Sequence, residues 1–166
     1  MSKLKRMSVG ALAALVMLPT TALAGTYSPS GAGAVGPGTV EVKGAFTLSC
    51  TLNATTRSDG IISSTGIPSG TKITALSLMG GFCGGVLFEG LPYDITTLNA
   101  TDVVINDVRI VGFIGNCRGN LNARLVGGVL QLRHTNPIPS DPPGSGLPCS
   151  IQGNVATSPP ASYTYP

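Results

Sequence analysis

The residues of this sequence with the most definite chemistry are its four cysteines, Cys50, Cys83, Cys117 and Cys149. Consecutive cysteines are separated by 33, 34 and 32 residues, a spacing that excludes a CxxC zinc site and a thioredoxin-type redox motif. An even number of cysteines in an exported chain predicts disulfides. One bridge that closes a loop of about 30 residues contributes about 3–4 kcal/mol of stability.

The contexts of the cysteines leave two pairings open. Cys50 and Cys149 each begin a strand pattern, LSCTLNAT and LPCSIQGNVAT, whereas Cys83 and Cys117 lie in the glycine corners GFCGG and GNCRG. We favour the sequential pairing, Cys50–Cys83 and Cys117–Cys149, because each bridge then closes one half of the chain. The pairing of like with like, Cys50–Cys149 and Cys83–Cys117, is the alternative.

No group of residues predicts an enzyme. His134 is the single histidine, and the GxSxG elbow of many serine hydrolases does not accompany it. The acidic residues stand singly, so no carboxylate pair indicates a glycosidase. The glycine-rich run 80–85 lacks the Lys-Ser/Thr of a phosphate-binding loop. We therefore predict no catalytic residue and no cofactor.

Metal binding has equally little support in the sequence. One histidine and four dispersed cysteines do not provide a ligand set for zinc. Loop acids such as Asp59 and Asp102 belong to no EF-hand or repeat pattern that would bind calcium. We predict no metal site.

The first 24 residues have the three parts of a secretory signal peptide. Lys3, Lys5 and Arg6 form a basic head, an apolar run follows over residues 9–18, and residues 22–24 are the small-x-small cleavage site Ala-Leu-Ala. The apolar run is shorter than the roughly 20 residues that span a bilayer. We expect cleavage after Ala24 and a secreted protein, periplasmic or extracellular, with no transmembrane segment in the mature chain.

Removal of this leader changes the net charge. The chain has ten Lys and Arg against seven Asp and Glu, and three of the basic residues lie in the leader. The mature chain therefore has seven of each and no net charge. This balance argues against a nucleic-acid partner. A neutral surface poor in charge also does little to prevent self-association.

The clearest structural pattern is the alternation over Thr39–Thr55, TVEVKGAFTLSCTLNAT. Its apolar face consists of Val40, Val42, Phe46, Leu48, Cys50, Leu52 and Ala54. Successive side chains of a strand point to opposite faces, so the pattern predicts a sheet with one buried face. Gly44 interrupts the apolar face and indicates a bend or bulge. We expect this stretch to pair with the last core strand, Cys149 to Val155.

The rest of the chain consists of short alternating runs separated by glycine and proline. Residues 72–79, 86–89, 93–98, 102–114, 121–125 and 129–132 read as strands, with a hairpin at Gly127-Gly128 and a proline-rich loop over 135–148. The count of roughly eight to ten strands predicts an all-β antiparallel sandwich or flattened barrel. We divide the chain into a signal peptide (1–24), a flexible N-terminal arm (25–38) and one β-domain (39–166).

Four motifs in order resemble one known family. They are FTLSCTLNAT, the SLMGGFCGG corner followed by GLPY, the GNCRGN turn and LPCSIQGNVATSP. Together, over residues 39–159, they are similar to the PraB-type family of secreted bacterial proteins described as activators of alkane oxidation. The resemblance implies a non-enzymatic extracellular protein that promotes the use of hydrophobic substrates, and it supplies no catalytic residue.

A charge-poor, disulfide-closed β-protein of this kind could adsorb at a hydrocarbon–water interface. The candidate exposed apolar residues are Ile61, Ile62, Phe82, Leu87 and Ile138, which lie in or beside loops or out of phase with their strands. The alternative function is a pilin-like or biofilm-fibre subunit or a surface adhesin. Its support is the neutral charge, the β-rich tail with Tyr163 and Tyr165, and the arm over residues 25–38, which could add a strand to a neighbour's sheet.

Overall fold

The computed structural model describes residues 24–66, 68–133 and 137–165, which are almost entirely β-structure. The strands of these ranges are β1 (Ala24–Ser28), β2 (Gly31–Lys43), β3 (Thr47–Ser58), β4 (Ile61–Ser64), β5 (Thr71–Met79), β6 (Val86–Glu89), β7 (Tyr93–Thr97), β8 (Asp102–Gly112), β9 (Cys117–Val126), β10 (Val129–Leu132), β11 (Ser150–Ser158) and β12 (Ser162–Tyr163). A short 3-10 helix, Gly81–Gly85, lies between β5 and β6, and we call it the glycine corner. The predicted signal peptide lies almost wholly outside the described residues and stays a prediction.

Eight of the strands form a closed antiparallel barrel in the order β7-β5-β3-β2-β11-β10-β9-β8, with β8 returning to β7. The closing strand is β7, whose Tyr93 pairs with Ile73 of β5 and whose Ile95 pairs with Ile105 of β8. Strands β1, β4 and β12 extend the sheet from β7, and β6 lies beside β8. The all-β prediction is confirmed, but the sandwich alternative is wrong because β7 pairs on both edges and joins the two ends of one sheet.

A polar side chain supports this closure. Asn106 interrupts the apolar phase of β8, and its Nδ2 donates to the Asp94 carbonyl at 3.0 Å and to Thr96 Oγ1 at 2.9 Å, both on β7. The next residue, Asp107, has a φ of 51° where the pairing with β9 shifts register. The gap in the sequence pattern is therefore a bulge whose amide side chain ties β8 to β7.

The alternation over Thr39–Thr55 extends across two strands. Strands β2 and β3 pair directly from Lys43↔Thr47, so the chain reverses at residues 44–46. A Cβ on Gly44 would lie 2.2 Å from the Ile114 carbonyl oxygen, so only glycine fits this turn without a shift. The prediction that Phe46 is a core residue is wrong, because it occupies the turn and is 60% exposed.

The segment expected to be a flexible arm is mostly a barrel strand. Residues 31–43 form β2, which pairs with β3 on one edge and with β11 on the other, and Val35 is buried. The stretch Thr39–Thr55 was expected to pair with the last core strand. The pairing is confirmed for the portion that belongs to β2, since Val42 pairs with Ile151 of β11. Both edges of β2 are occupied, so self-association by strand donation from this segment loses its basis.

The interior of the barrel is filled by its own side chains. The inward residues are mostly Val, Leu and Ile, as expected for a chain without tryptophan. A void of about 20 Å³ remains among residues such as Leu52, Ile105, Leu121 and Ile151. That is room for about one water molecule, and an apolar void of this size stays dry. An eight-stranded barrel can hold a small ligand or be filled by side chains, and this one is filled.

A local prediction is confirmed by the pairing of the strands. Strands β9 and β10 form the expected hairpin, with Val126 opposite Val129 across Gly127-Gly128. Strand β5 contains a bulge, since its register against β3 shifts between Thr55 and Thr56. Along the described ranges, no helix is long and apolar enough to cross a membrane.

Candidate functional site

One end of the barrel carries four irregular segments. Lys43 pairs with both Thr47 and Ser150, Ile110 pairs with Cys117, and Thr51 pairs with Met79. The β2–β3 turn, the glycine corner, the β8–β9 turn and the segment before β11 therefore meet at the same end. We call it the disulfide end because both bridges lie there.

The two bridges attach irregular segments to strands. Cys50 of β3 is bonded to Cys83 of the glycine corner, with a Cα–Cα distance of 5.7 Å. Cys117 at the start of β9 is bonded to Cys149, just before β11, with a Cα–Cα distance of 6.0 Å. This is the sequential pairing favoured from the sequence, and all four sulfur-bearing residues are buried.

Three of the four phenylalanines of the chain meet on the surface of the disulfide end. Phe46, Phe82 and Phe113 are 60, 78 and 47% exposed. Phe113 lies in the middle, with its ring centroid 6.3 Å from that of Phe46 and 6.3 Å from that of Phe82 in an edge-on arrangement. Aromatic pairs prefer this spacing and tilted geometry. We call these three residues the phenylalanine patch.

An open groove continues from the patch. It has a volume of about 450 Å³ and runs between Phe113 and the segment that precedes β11. Its lining is mixed: Ala45, Pro142 and the exposed Leu147 are apolar, whereas Asn116, Asp141 and Ser145 are polar. The disulfide end thus exposes several large apolar side chains that a folded chain would normally bury. Patches of this kind mark interaction sites.

Arg118, at the start of β9, forms an ion pair and adds no net charge to the disulfide end. Arg118 donates to both carboxylate oxygens of Asp107, at 2.7 and 2.8 Å. These hydrogen bonds lower the pKa of Asp107 and raise the pKa of Arg118. The pair therefore stays ionised and neutral in sum beside the apolar surface.

The opposite end of the barrel, which we call the polar end, is rich in hydrogen-bonded polar groups, although Ile61, Leu98 and Val126 are also exposed there. The Thr71 hydroxyl lies 2.7 Å from that of Ser58 and donates to the Ile61 carbonyl at 2.8 Å. The Tyr163 hydroxyl donates to the Asn99 carbonyl at 2.8 Å, and burial raises the pKa of Tyr163 to about 12.

Asp102 completes this polar end. Its carboxylate accepts hydrogen bonds from the Asn99 amide at 2.8 Å and from Arg124 Nε at 2.9 Å, and these bonds lower its pKa. The two ends of the barrel therefore differ in chemistry, one aromatic and one hydrogen-bonded.

The five residues proposed as exposed apolar positions divide into three groups. Phe82 and Leu87 are exposed, Phe82 in the patch and Leu87 on β6 next to the glycine corner. Ile61 is exposed but lies at the polar end. Ile62 and Ile138 are fully buried, so their predicted exposure is wrong. Ile62 follows Ile61 on β4 and points inward, and Ile138 forms an antiparallel bridge with Cys149.

The sequence analysis missed Phe46, Phe113 and Leu147. Phe46 fits the alternation of the core residues and therefore reads as a core position. Phe113 lies beside the in-phase Ile114, at the end of a long apolar strand, and was not singled out. A signal was nevertheless present, because each phenylalanine of the patch lies within two residues of a turn glycine: Gly44, Gly81 or Gly112. A glycine turn places the side chains beside it at the end of the barrel rather than in its wall.

The described residues contain no cluster of three or more His, Cys, Asp or Glu that could hold a metal ion. His134 lies outside them, so the prediction that it has no catalytic role stays a prediction. The void inside the barrel is too small for any alkane of several carbons.

Comparison with other proteins gives one result. Searches of curated proteins and of solved structures returned no match. A family model described as "Alkane oxidation protein activator PraA/PraB-like" matches residues 1–165, nearly the whole chain. The protein therefore belongs to the PraA/PraB-like family of alkane oxidation protein activators.

Proposed function

We propose that the protein is a secreted, non-enzymatic accessory factor of alkane oxidation that adsorbs to hydrocarbon droplets or other hydrophobic surfaces through its phenylalanine patch. The family description supports an accessory role in alkane oxidation. The observation that carries the surface mechanism is the contact of Phe46, Phe82 and Phe113 in water at one end of the barrel.

The contrast between the two ends favours adsorption in one orientation. Transfer of aromatic surface from water to hydrocarbon is favourable, whereas transfer of hydrogen-bonded polar groups is not. The disulfide end therefore enters the oil boundary and the end that carries Asp102 and Tyr163 stays in water. The filled interior supports contact with an oil surface over enclosure of single alkane molecules.

Secretion is supported by the two disulfides. Such bridges form and persist in the periplasm or outside the cell and are rare in the cytosol. The N-terminal segment with the features of a signal peptide points the same way. An alkane-oxidising cell meets its substrate as an insoluble phase outside, so an exported protein is in the right place to act on it.

Adsorption to hexadecane droplets tests the proposal. Purified protein is mixed with an emulsion of known surface area, and the unadsorbed fraction is measured after centrifugation. We expect strong adsorption by the natural protein and adsorption near that of a neutral β-protein of similar size for the variant Phe46→Ser/Phe82→Ser/Phe113→Ser. Equal adsorption by the natural protein and the triple variant would overturn the mechanism.

A fibre subunit or adhesin was the other function expected from the sequence. One of its supports was a free N-terminal arm, and the two occupied edges of β2 argue against that support. Electron microscopy of the secreted protein separates the two functions. We expect single particles, and filaments would favour the subunit function.

A further inference from the structure

We infer that the Cys50–Cys83 bridge is a positioning device for the phenylalanine patch and is not required for closure of the barrel. Cys50 and Cys83 would be positioning residues that hold Phe82 beside Phe113 at the surface. The effect of the bridge on adsorption rests on the proposed function. Its effect on the position of Phe82 rests on the fold alone.

The bridge is the covalent attachment of the glycine corner to the barrel. Phe82 and the flanking glycines of the corner are exposed, and Cys83 is its one buried residue. The hydrogen bonds that the corner makes are local, from the Cys83 N–H to the Gly80 carbonyl at 2.9 Å and from the Val86 N–H to the Cys83 carbonyl. Residues 80–85 include four glycines, which gain more backbone freedom on release than other residues.

The barrel closes without this segment. Strand β7 pairs with β5 through Ile73 and with β8 through Ile105, so the ladder of the barrel bypasses the glycine corner. Strand β6, which follows the corner, is held by its own four pairs to β8. Loss of the bridge therefore releases residues 80–85 and leaves the eight-stranded ladder complete.

The second bridge supplies a matched control. Cys50–Cys83 spans 33 residues and Cys117–Cys149 spans 32. Loss of either bridge therefore raises the conformational entropy of the unfolded chain by nearly the same amount. Only the first bridge is attached to the corner that carries Phe82. A comparison of the variants Cys50→Ala/Cys83→Ala and Cys117→Ala/Cys149→Ala thus separates local release of Phe82 from general destabilisation.

The geometric part is tested by fluorescence anisotropy. The chain has no tryptophan, so Phe82→Trp introduces a single reporter at the corner. We expect loss of the Cys50–Cys83 bridge to increase the amplitude of the nanosecond decay of the anisotropy about twofold, since a freed loop segment moves from the nanosecond timescale upward. The control variant should match the parent. An unchanged decay, or an unfolded circular dichroism spectrum for Cys50→Ala/Cys83→Ala, would overturn the inference.

The functional part is tested by a double-mutant cycle on hexadecane droplets. Loss of the Cys50–Cys83 bridge should weaken adsorption about tenfold. The freed corner must be ordered again on the droplet, and the entropy lost in ordering one residue corresponds to about a tenfold change in the adsorption constant. In the Phe82→Ser background the same loss should have no further effect, whereas a purely structural role would lower adsorption equally in both backgrounds. If the natural protein does not adsorb, the proposed function fails, and the anisotropy experiment still decides the positioning role.

Discussion

Replacement of Phe82 by serine should weaken adsorption to hexadecane by a factor between about 30 and 700. A phenylalanine side chain has roughly 200 Å² of accessible surface, and 78% of Phe82 is exposed, so about 150 Å² of aromatic surface is available for transfer. At about 25 cal/mol per Å², complete transfer contributes about 4 kcal/mol, and transfer of half the area contributes about 2 kcal/mol. Each 1.4 kcal/mol corresponds to about a tenfold change in the adsorption constant.

The assay is an adsorption isotherm on hexadecane droplets at low coverage, where neighbouring proteins do not compete for the surface. Ile61→Ser is the matched control, because Ile61 is 47% exposed but lies at the polar end. We expect its isotherm to superimpose on that of the natural protein. Both substitutions are at the surface, so the free energy of unfolding should change by no more than about 0.5 kcal/mol.

Two results would refute this reasoning. If Phe82→Ser changes the adsorption constant less than about twofold, the transferred area is far smaller than the patch allows. If Ile61→Ser weakens adsorption as much as Phe82→Ser, the protein adsorbs without a preferred end. Either result would remove the phenylalanine patch from the proposed function while leaving the family membership unchanged.

Three further predictions concern stability. Gly44→Ala should lower the free energy of unfolding by about 1–3 kcal/mol, because the new Cβ would lie 2.2 Å from the Ile114 carbonyl oxygen. The control Gly84→Ala places no atom near the new Cβ and should change the free energy of unfolding by less than about 0.5 kcal/mol. Equal denaturant midpoints for the two variants would contradict the prediction. The raised pKa of Tyr163, about 12, gives stability that is present below pH 10 and lost as the pH rises from 10 to 12. Thermal melts should show a smaller loss in Tyr163→Phe than in the natural protein, because the raised pKa values of Tyr27 and Tyr93 remain in the variant. The lowered pKa of Asp102 gives stability that is present above about pH 4 and lost as the pH falls through the folded-state pKa; Asp102→Asn should flatten the acid limb of the melting curve, and an unchanged limb would count against the ion pair.

Much of the barrel wall could be predicted because strand alternation is a local property. Successive side chains of a strand alternate between its two faces, so a few neighbouring residues are enough to identify inward positions such as Val40, Val42 and Leu52. The hairpin at Gly127-Gly128 is local for the same reason. The pairing of Cys50 with Cys83 followed from the two halves of the chain, although the sequence also allowed the like-with-like pairing.

Local patterns fail where the chain turns. Phe46 continues the apolar phase of the residues around it and yet lies in a turn, because Gly44 passes close to Ile114 and reverses the chain. Ile62 looked like a loop residue, and the pairing of β4 with β7 carries it into the core. In both cases the deciding contact comes from a residue more than 30 positions away.

The sequence by itself determined an all-β, disulfide-closed protein with motifs of an alkane-oxidation activator family. The tertiary structure alone decided that the sheet closes into a barrel and that Phe46, Phe82 and Phe113 meet at one end of it. Alternation within a strand depends on adjacent residues, whereas closure depends on which edges pair. Here β7 pairs with strands on either side of it in sequence, and that pairing brings the ends of β2, β5 and β8 to the same place.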